Sequence, residues 1–352
     1  MVDYIVVGLG LSGLAVISRL EQRKKSFLVY EDNSQHSSQV AGGIFNPVIL
    51  KRFTLAWKAD EQIKEAIPFY QKFEKKYNRQ FLHFWEIYRR FHSAEEQNNW
   101  FNAADKPGLD EFLNTELVRQ VNANIPSSFS FGRVKKTGNI NTDALLKDYR
   151  KDLLGSGKLI AERFDYDQLE ISGEFFRYKD QKAKRIIFCE GFGMTKNPFF
   201  NYLPLRGNKG EYIIIRSEAL QLNKAVKSSV FLMPLGNNLY KVGATYNHKD
   251  KTPGPTQEAR GKLATELNKL IECEYEVVDQ VAGIRPATAD RRALIGSHPE
   301  IPNMYCCNGF GSRGVLIAPM ASRELVDFIE EGAEISPEID LQRFTRKHYR
   351  RN

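Results

Sequence analysis

Glycine residues near the start of the chain have the spacing of a site that binds the anionic part of a cofactor. Gly8, Gly10 and Gly13 form a G-x-G-x-x-G pattern, and an acidic residue, Glu31, follows roughly twenty positions later. The first glycine permits a tight turn, the second lets a pyrophosphate approach the backbone, and the third lets a helix pack on a strand. Glu31 is then placed to accept hydrogen bonds from a ribose diol. The pattern predicts a dinucleotide site for NAD or FAD, and an acid without a nearby compensating arginine argues against NADP.

A second glycine pattern lies near the other end of the chain, in NGFGSRGVLIAP (308–319). Gly309, Gly311 and Gly314 precede an apolar run that predicts a helix from Val315. Taken alone, this segment fits an ordinary helix start after a turn as well as a second site for an anionic group.

The elements around the first pattern are those that a dinucleotide site requires. Residues 4–7 predict a buried strand, an apolar residue recurs at helical spacing after the glycines, and FLVY (27–30) predicts a second strand. Strand, glycine turn, helix and strand together predict a βαβ unit. The same glycines outside such a unit would indicate only a flexible loop.

Composition sets limits on the class of protein. The chain has 352 residues, of which 42% are hydrophobic and 27% charged, which is enough for a buried core and suggests two lobes. Lysine and arginine number 51 against 43 acidic residues, a net charge of +8. This excess favours anionic partners, whether small acids, nucleic acid or a membrane surface, without choosing among them.

The cysteines and the apolar segments predict a cytoplasmic protein without a metal site or a membrane span. The four cysteines show no CxxC spacing, so we expect reduced packing residues with neither a disulfide framework nor a zinc site. The apolar stretch at 4–20 is short for a span, follows Asp3 and is interrupted by glycines, which also argues against a signal peptide.

Further segments resemble the FAD-dependent amino-acid and amine oxidase family, the group of D-amino acid oxidase, glycine oxidase and sarcosine oxidase. HSSQVAGGIFNPV (36–48) is similar to the family's small-residue loop under the flavin, and RIIFCEGFG (185–193) to the strand that leads to a glycine beside the FAD pyrophosphate. LPLRGNKGEYIII (203–215) and FLMPLGNNLYKVGAT (231–245) look like the entry into the substrate domain and its central hairpin.

The end of the chain resembles the family's C-terminal signature, through AGIRPATADRRALIG (282–296) and the second glycine segment. The G-S-R-G of that segment is also similar to the flavin domain of the bifunctional enzyme that matures the wobble uridine of tRNA. Where relatives often read D-G-x-P-x-I-G, this chain has DRRALIG, with Arg291 and Arg292. These are either solvated loop charges or a preference for larger anionic substrates, including a phosphodiester.

The resemblance implies an α/β fold of the two-domain α+β kind: a Rossmann-like FAD-binding domain of the glutathione-reductase type with an inserted antiparallel-sheet substrate domain. The FAD-binding domain would comprise residues 1–80, 138–204 and 282–352, and the substrate-binding domain residues 81–137 and 205–281. We expect a helix over 56–77, a strand in QFLHFWEIYRRF (80–91) and a helix in NTDALLKDYRKDLL (141–154).

The resemblance also implies the cofactor and its contacts. FAD would be bound without a covalent link, because Thr288 and Ala289 stand where some members have the attached cysteine and His36 is expected to be a loop residue. The second glycine segment would present backbone N–H groups and a helix N-terminus to the pyrimidine end of the flavin, where charge develops on reduction. The cofactor-binding residues expected are Gly8, Gly10, Leu11, Ser12, Gly13, Glu31, Asp32, Ser37, Ser38, Ala41, Gly42, Gly43, Tyr166, Gly191, Gly309, Gly311, Ser312, Arg313, Gly314 and Val315.

Two residues are expected at the catalytic centre. Arg285 matches the family arginine that clamps a substrate carboxylate, and a guanidinium fork fits a carboxylate bidentately; the alternative is a salt bridge to an acid at a domain interface. Its neighbour Pro286 is expected to break the strand. Tyr246, with Tyr240, would line the pocket unless these aromatics belong to the core, and Phe231 stands where some relatives have a pocket tyrosine.

Three functions follow from the resemblance. The first is hydride transfer to flavin N5 from a small amine or amino acid that bears a carboxylate, with oxidase and dehydrogenase both open. The second is removal of a carboxymethyl group from a modified uridine of tRNA, and the third is a flavin-binding protein without an amine substrate. The basic end RFTRKHYRRN (343–352) is either a solvated tail or a nucleic-acid contact.

Overall fold

A computed structural model describes residues 1–349 of the chain, so Arg350 and Arg351 of the predicted basic tail lie outside the described residues. The helices are α1 Leu11–Gln22, α2 Ser37–Val40, α3 Ala59–Tyr77, α4 Ala94–Ala104, α5 Thr142–Gly155, α6 Gln257–Asn268, α7 Gly314–Glu331 and α8 Gln342–His348. The strands are β1 Val2–Val7, β2 Phe27–Tyr30, β3 Ile44–Phe45, β4 Val48–Ile49, β5 Thr54–Leu55, β6 Leu82–Phe84, β7 Ile87–Arg90, β8 Phe131–Val134, β9 Gly138–Ile140, β10 Leu159–Ile160, β11 Leu169–Ile171, β12 Phe176–Tyr178, β13 Gln181–Phe188, β14 Leu205–Arg216, β15 Ala225–Lys227, β16 Phe231–Gly236, β17 Leu239–Gly243, β18 Glu276–Thr288, β19 Leu294–Ser297 and β20 Met304–Asn308.

The chain forms two compact units, each made of separated segments. Unit 1 comprises Met1–Ala41, Thr142–Asn208 and Ile284–Asn352, and unit 2 comprises Gly42–Asn141 and Lys209–Gly283. This partition corrects the expected one at residues 42–80, which belong to unit 2. The reason is a strand pairing that local sequence does not reveal: β3 pairs with β9, and β9 pairs with β6, in a small sheet of unit 2.

Unit 1 is built on a sheet with a parallel centre. Its strands run in the order β10, β2, β1, β13, and β20 pairs in parallel with the last half of β13. The first half of β13 pairs with β12 instead, in the antiparallel direction. β2 and the last residues of β1 and β13 (4–7 and 186–188) are buried, largely apolar runs, as expected for strands that are covered on both faces. The predicted βαβ unit of β1, α1 and β2 is present.

Helices α1 and α7 pack side by side in unit 1 and run in the same direction. A side chain added at Gly314 would contact the Leu11 side chain at 3.2 Å, so the two helix N-termini are neighbours. Further along, Arg19 of α1 donates to the carbonyl oxygen of Pro319 at 3.1 Å, and Arg23 pairs with Asp327. Two helices from opposite ends of the chain therefore begin at the same edge of the sheet.

Unit 2 contains a seven-stranded, mostly antiparallel sheet in the order β18, β14, β17, β16, β15, β7, β8. The predicted hairpin is present as β16 and β17. One face of the sheet is apolar and packs against Leu263 and Leu267 of α6. Helix α3 begins three residues later than predicted, and α5 lies where a helix was expected.

Two expectations about strands are wrong. Residues 80–91 form two strands, β6 and β7, which belong to different sheets, so the alternation of aromatic and charged residues hides a break at 85–86. Pro286 does not break its strand, because β18 continues to Thr288. Since β18 lies at the edge of its sheet, a residue without an N–H group is tolerated there.

Candidate cofactor site and substrate arginine

Four adjacent parallel strands of unit 1 end at one edge, and each is followed by a predicted cofactor residue. Gly8 follows β1, Glu31 follows β2, Gly191 comes shortly after β13, and Gly309 follows β20. Parallel α/β sheets bind ligands beyond the carboxyl ends of their strands. Residues that are up to 301 positions apart in the chain are therefore gathered in one region.

The first glycine turn is packed too closely for side chains. Gly8 has φ +97°, and a Cβ there would lie 2.6 Å from the carbonyl oxygen of Cys189. A Cβ on Gly13 would lie 2.1 Å from the carbonyl oxygen of Gly8, so this glycine brings α1 onto the strand end. The first turn of α1 contains no acidic residue, which leaves its N-terminus favourable for an anion.

The serine segment lies against the start of α1. The backbone N–H of Leu11 donates to Ser38 Oγ at 3.1 Å, and a Cβ on Gly10 would meet the same oxygen at 3.1 Å. The Ser38 carbonyl in turn accepts from Thr142 Oγ1 at 2.7 Å. Helix α2, which begins at Ser37, is thereby held beside the glycine turn.

The small-residue loop continues into unit 2. Ala41 ends the first segment of unit 1, and Gly42 begins the first segment of unit 2. A Cβ on Gly42 would lie 3.1 Å from Met233 Sδ, and Gly43 has φ +62° with its Cβ position only 1.9 Å from the carbonyl oxygen of Ile140. Only glycine fits at position 43 without moving the backbone.

Glu31 has a partner that the sequence did not indicate. Arg150 Nε lies 2.9 Å from Glu31 Oε2, so the expectation that no arginine is near this acid is wrong. Arg150 lies on α5, 119 positions away, and only the packing of α5 brings it there. The ion pair holds the carboxylate at the end of β2, while the next residue, Asp32, is exposed and caps the turn by accepting from Ser34 N–H at 2.9 Å.

The second glycine segment lies at the end of β20 and is connected to two neighbouring segments. Gly309 has φ +79° and Gly311 has φ +57°, conformations that favour glycine. The N–H of Gly311 donates to the carbonyl oxygen of Pro286 at 2.9 Å, and Asn308 Nδ2 donates to the carbonyl oxygen of Gly191 at 2.9 Å.

Helix α7 begins at Gly314, within this segment, and its first turn also lacks an acidic residue. Arg313 is the N-cap residue directly before the helix and is partly buried, Ser312 is exposed, and Val315 is buried. The start of α7 thus offers a second helix N-terminus beside that of α1.

A buried carboxylate that no sequence motif singles out lies at the same edge. Glu190 is 9% exposed and accepts hydrogen bonds from Asn197 Nδ2 at 2.7 Å and from the Tyr166 hydroxyl. Burial raises the pKa of Glu190 to about 7, against the opposing effect of these two donors. Burial and the adjacent carboxylate also raise the pKa of Tyr166. The available signal was an acidic residue directly before Gly191 in RIIFCEG.

Arg285 is close in space to the second glycine segment. It is partly buried on β18 and precedes Pro286, whose carbonyl accepts from Gly311. The two neighbouring arginines differ from it: Arg291 is exposed with φ +59°, and Arg292 donates its backbone N–H to Thr288 Oγ1 at 3.0 Å. Arg291 therefore fits the alternative of a solvated loop charge.

The predicted pocket aromatics have different surroundings within unit 2. Tyr240 is 3% exposed, and its hydroxyl accepts from the N–H of Leu222 at 3.1 Å, so it is a core residue. Tyr246 is 64% exposed, on the segment that follows β17. Phe231 is partly buried on β16, opposite Gly243 in the register.

A buried polar network holds the segment that carries Tyr246. Lys209 is fully buried, and its Nζ donates to Asp250 Oδ2 at 2.6 Å and to Thr252 Oγ1 at 2.9 Å. Glu211, 3% exposed, accepts from the N–H of Thr256 at 2.7 Å and lies 3.7 Å from Lys209 Nζ. The hydrogen bonds from Lys209 and Thr252 lower the pKa of Asp250.

The residues at the edge of unit 1 fit FAD. Helices α1 and α7 have adjacent N-termini, and neither has an acidic residue in its first turn. One N-terminus suits the pyrophosphate of FAD, and the other suits the flavin ring, which becomes negative on reduction. At Gly8 and Gly13 a Cβ would collide with backbone, so the strand end and the start of α1 are packed closely there, as in a dinucleotide-binding turn. The cysteines at 189, 273, 306 and 307 are free thiols.

Neither a metal site nor a membrane span is found in the described part of the chain. Among residues 1–349, no group of three or more histidine, cysteine or acidic side chains is arranged to hold a metal ion. Within the same range, none of the helices has the length and apolar character needed to cross a bilayer.

Comparison with known proteins gives the same assignment for most of the chain. Residues 3–328 match the sequence profile of the family described as FAD dependent oxidoreductase, DAO. The tRNA 5-methylaminomethyl-2-thiouridine biosynthesis bifunctional protein MnmC of Legionella pneumophila is 23% identical over 97% of this chain, which covers 57% of that relative. The chain thus spans little more than half of the relative's length.

Two glycine oxidase comparisons agree with the profile. Glycine oxidase of Geobacillus kaustophilus is 28% identical over 35% of this chain and 33% of that protein. The crystal structure of glycine oxidase from Geobacillus kaustophilus superposes with a TM-score of 0.82 at 17% identity, over 97% of both chains. At this identity the likeness concerns the fold, and it agrees with the expected mixed α/β fold of two domains.

Proposed function

Since the chain belongs to the FAD dependent oxidoreductase family and its cofactor is FAD, we propose that it oxidises a C–N bond of a small amine or amino acid that bears a carboxylate. One observation carries the proposal. The N–H of Gly311 donates to the carbonyl oxygen of Pro286 at 2.9 Å, so Arg285 is fixed beside the segment proposed to lie at the flavin ring. A guanidinium in this place would hold a carboxylate next to the reacting part of the cofactor.

The side chains have to bind and orient the substrate. When bound, FAD supplies the acceptor for a hydride, that is, two electrons and one proton from the substrate C–H bond. Arg285 would hold the carboxylate in a bidentate pair, which fixes the α-carbon and lowers the entropic part of the barrier. Loss of hydride from a neutral amine leaves an iminium, and addition of water to its carbon releases the amine and a carbonyl product.

Helix α7 has an electrostatic part in this proposal. Its N-terminus, which begins at Gly314 and is preceded by Gly309 and Gly311, would direct backbone N–H groups toward the ring end that becomes negative. Donors fixed in advance stabilise this charge without reorganisation.

The decisive experiment combines cofactor release with anaerobic reduction. Denaturation of the purified protein should release FAD, because we expect no covalent bond between FAD and the chain. Glycine, sarcosine, D-amino acids and proline are then tested for anaerobic bleaching of the flavin absorbance. Bleaching by one of them supports the proposal. A flavin that none of these amines reduces contradicts it and leaves the tRNA substrate or a flavin-binding role without an amine substrate.

A second candidate, action on a modified uridine of tRNA, is favoured by one face of the unit 2 sheet. Lys227 Nζ lies 5.2 Å from the ring centroid of Phe231, and Lys241 Nζ lies 5.0 Å from that of Tyr212. Phe231 and Tyr212 are both opposite Gly243 in the strand register, so the four side chains share one face. Cations interleaved with aromatic rings suit phosphates and a base better than they suit glycine.

The two candidates predict different responses to salt. If tRNA is the substrate, tRNA lacking the final modification should bleach the flavin, and its affinity should fall steeply with salt concentration. Lys241→Gln should then reduce the slope of log affinity against log salt by about 1, whereas an amino-acid substrate gives a shallow slope in both proteins.

A further inference from the structure

Glu190 lies between the two glycine segments at the edge of the unit 1 sheet. Its Cα is 3.3 Å from the position that a Cβ would take on Gly8, so the first glycine turn packs on its backbone. The carbonyl oxygen of the following residue, Gly191, accepts a hydrogen bond from Asn308 Nδ2, and Asn308 is the first residue of the second glycine segment. A side chain at position 190 therefore begins where both segments meet.

The Glu190 carboxyl group is buried among neutral donors. It accepts hydrogen bonds from the amide of Asn197, which is fully buried, and from the Tyr166 hydroxyl on the 3₁₀ turn Tyr166–Gln168. The charged group that acts on it from the end of β2 is another acid, Asp32. From β20 the titratable neighbour is the thiol of Cys306, which is itself buried.

A positive charge, that of Arg163, also lies near these groups and acts on the Tyr166 hydroxyl. It opposes the rise of the pKa of that hydroxyl. The groups that act on the Glu190 carboxyl group thus include the amide of Asn197, the phenol of Tyr166, the thiol of Cys306 and, through its charge, the carboxylate of Asp32. A negative charge at this position is opposed by burial and by Asp32, and a neutral carboxyl group is not.

We propose that Glu190 is a positioning residue that is protonated when FAD is bound, so that binding of the cofactor to unit 1 takes up a proton. The physical reason is electrostatic. The cofactor diphosphate brings negative charge to the edge of the sheet where this carboxyl group is buried, and a low-dielectric surrounding strengthens the repulsion between two anions. A neutral carboxylic acid removes this repulsion and keeps one acceptor oxygen for Asn197 or Tyr166. The inference depends on FAD as the cofactor and not on the identity of the substrate.

The sign of the pH effect follows from linkage. Burial already places the pKa of Glu190 at about 7 without the cofactor, and a bound dianion raises this pKa further. Affinity for FAD is therefore constant at acid pH, where the group is protonated in both states. It falls as the pH rises above about 7, by up to roughly tenfold per pH unit, because binding then requires proton uptake.

The first test uses the wild-type apoprotein and measures binding only. FAD affinity is determined by quenching of flavin fluorescence between about pH 6 and pH 9, a range in which the FAD diphosphate does not titrate. Calorimetric titration in two buffers of different ionisation enthalpy counts the protons taken up. We expect weaker binding at high pH and uptake of a proton near pH 8. Affinity that is independent of pH, without proton uptake, overturns the proposal.

Variants separate a titrating group from a merely structural one. Glu190→Gln should bind FAD with the same affinity across the whole range, whereas a residue that only supports the fold would weaken binding at every pH and leave its pH dependence intact. Tyr166→Phe removes a donor that favours the carboxylate, so the midpoint should move to higher pH. Glu162→Gln, at a partly exposed acid of the same unit, is the matched control and should keep the wild-type midpoint.

Discussion

At the scale of single residues, the proposed substrate class depends mainly on Arg285. It is one of several arginines in its segment, yet the exposed Arg291 nearby lacks its position beside the second glycine segment. The sequence allowed either a carboxylate clamp or a salt bridge to an acid. Binding measurements on a substituted protein separate these two roles.

Arg285→Ala should weaken binding of a carboxylate substrate by about 2–5 kcal/mol, because a charge-assisted bidentate pair is lost. FAD should remain bound. Arg285→Lys keeps the charge without the fork and should recover only part of the affinity. Substrate affinity is measured by anaerobic titration of the flavin absorbance. Arg177→Ala, at an exposed arginine on β12, serves as the control, and equal affinities of the Arg285→Ala and control proteins would remove Arg285 from the site.

Gly13→Ala should prevent FAD binding, because the new Cβ would lie 2.1 Å from the carbonyl oxygen of Gly8 and α1 would have to move away from β1. We expect a loss of stability of about 1–3 kcal/mol, as is usual for overpacking. Gly261→Ala is the matched control: this α6 glycine has no heavy atom within 4 Å of its Cβ position, so alanine should stabilise the helix by about 0.5–1 kcal/mol. Denaturant unfolding measures the stability of both variants. A Gly13→Ala protein that binds FAD with wild-type affinity would contradict the prediction.

The βαβ unit that carries the first glycine turn was predictable because its signal is local, whereas the partners of Glu31 and Glu190 were not. The glycine spacing and the acid after the second strand are contained within about thirty residues, as the dinucleotide fingerprint requires. Arg150 reaches Glu31 only through the packing of α5, and Glu190 is buried by residues before and after it in the chain. Neither the Arg150–Glu31 ion pair nor the burial of Glu190 produces a spacing pattern in the sequence.

At the scale of elements, the segment that carries Tyr246 depends on two buried side chains of β14. Lys209 and Glu211 reach it at Asp250, Thr252 and Thr256. These hydrogen bonds hold the segment in a fixed position although it forms no helix or strand. An exposed tyrosine on such a segment can be held in place although its own side chain is largely in solvent.

Lys209→Met should destabilise the protein by about 3–5 kcal/mol, because Glu211 stays buried after its cation is removed. Limited proteolysis should then cut between residues 244 and 256 before it cuts elsewhere in unit 2. Lys249→Met changes an exposed lysine of the same segment and should lie within about 0.5 kcal/mol of the wild type. Equal unfolding free energies and equal cleavage of the two variants would contradict a role for Lys209 in holding the segment.

The strands show why element boundaries are harder to predict than their existence. The alternation in residues 80–91 indicates extended chain, and both β6 and β7 are extended, but no local feature shows that they join different sheets. Pro286 was expected to end a strand because it lacks an N–H group. It lies on an edge strand, and which strand is at an edge depends on the pairing of the whole sheet.

At the scale of the whole molecule, binding of FAD should stabilise the fold by mass action. FAD at one hundred times its dissociation constant should add about 2.7 kcal/mol to the unfolding free energy. The thermal midpoint of the apoprotein is measured with FAD, with NAD and without a ligand. NAD should cause no comparable shift, and the Gly13→Ala protein should show none with FAD. An equal shift with NAD would contradict the assignment of the edge of unit 1 to FAD.

The side-by-side start of α1 and α7 has a consequence for synthesis of the protein. These helices begin at Leu11 and Gly314, and the strands before them flank β13, which is made midway between them. A ribosome must therefore add roughly three hundred residues after the first glycine turn before its counterpart exists, which takes about 15–60 s at ordinary rates of elongation. On the proposal that the second glycine segment contacts the flavin, nascent chains should not hold FAD in the mature manner during this time, and capture of the flavin should begin only after translation has passed that segment.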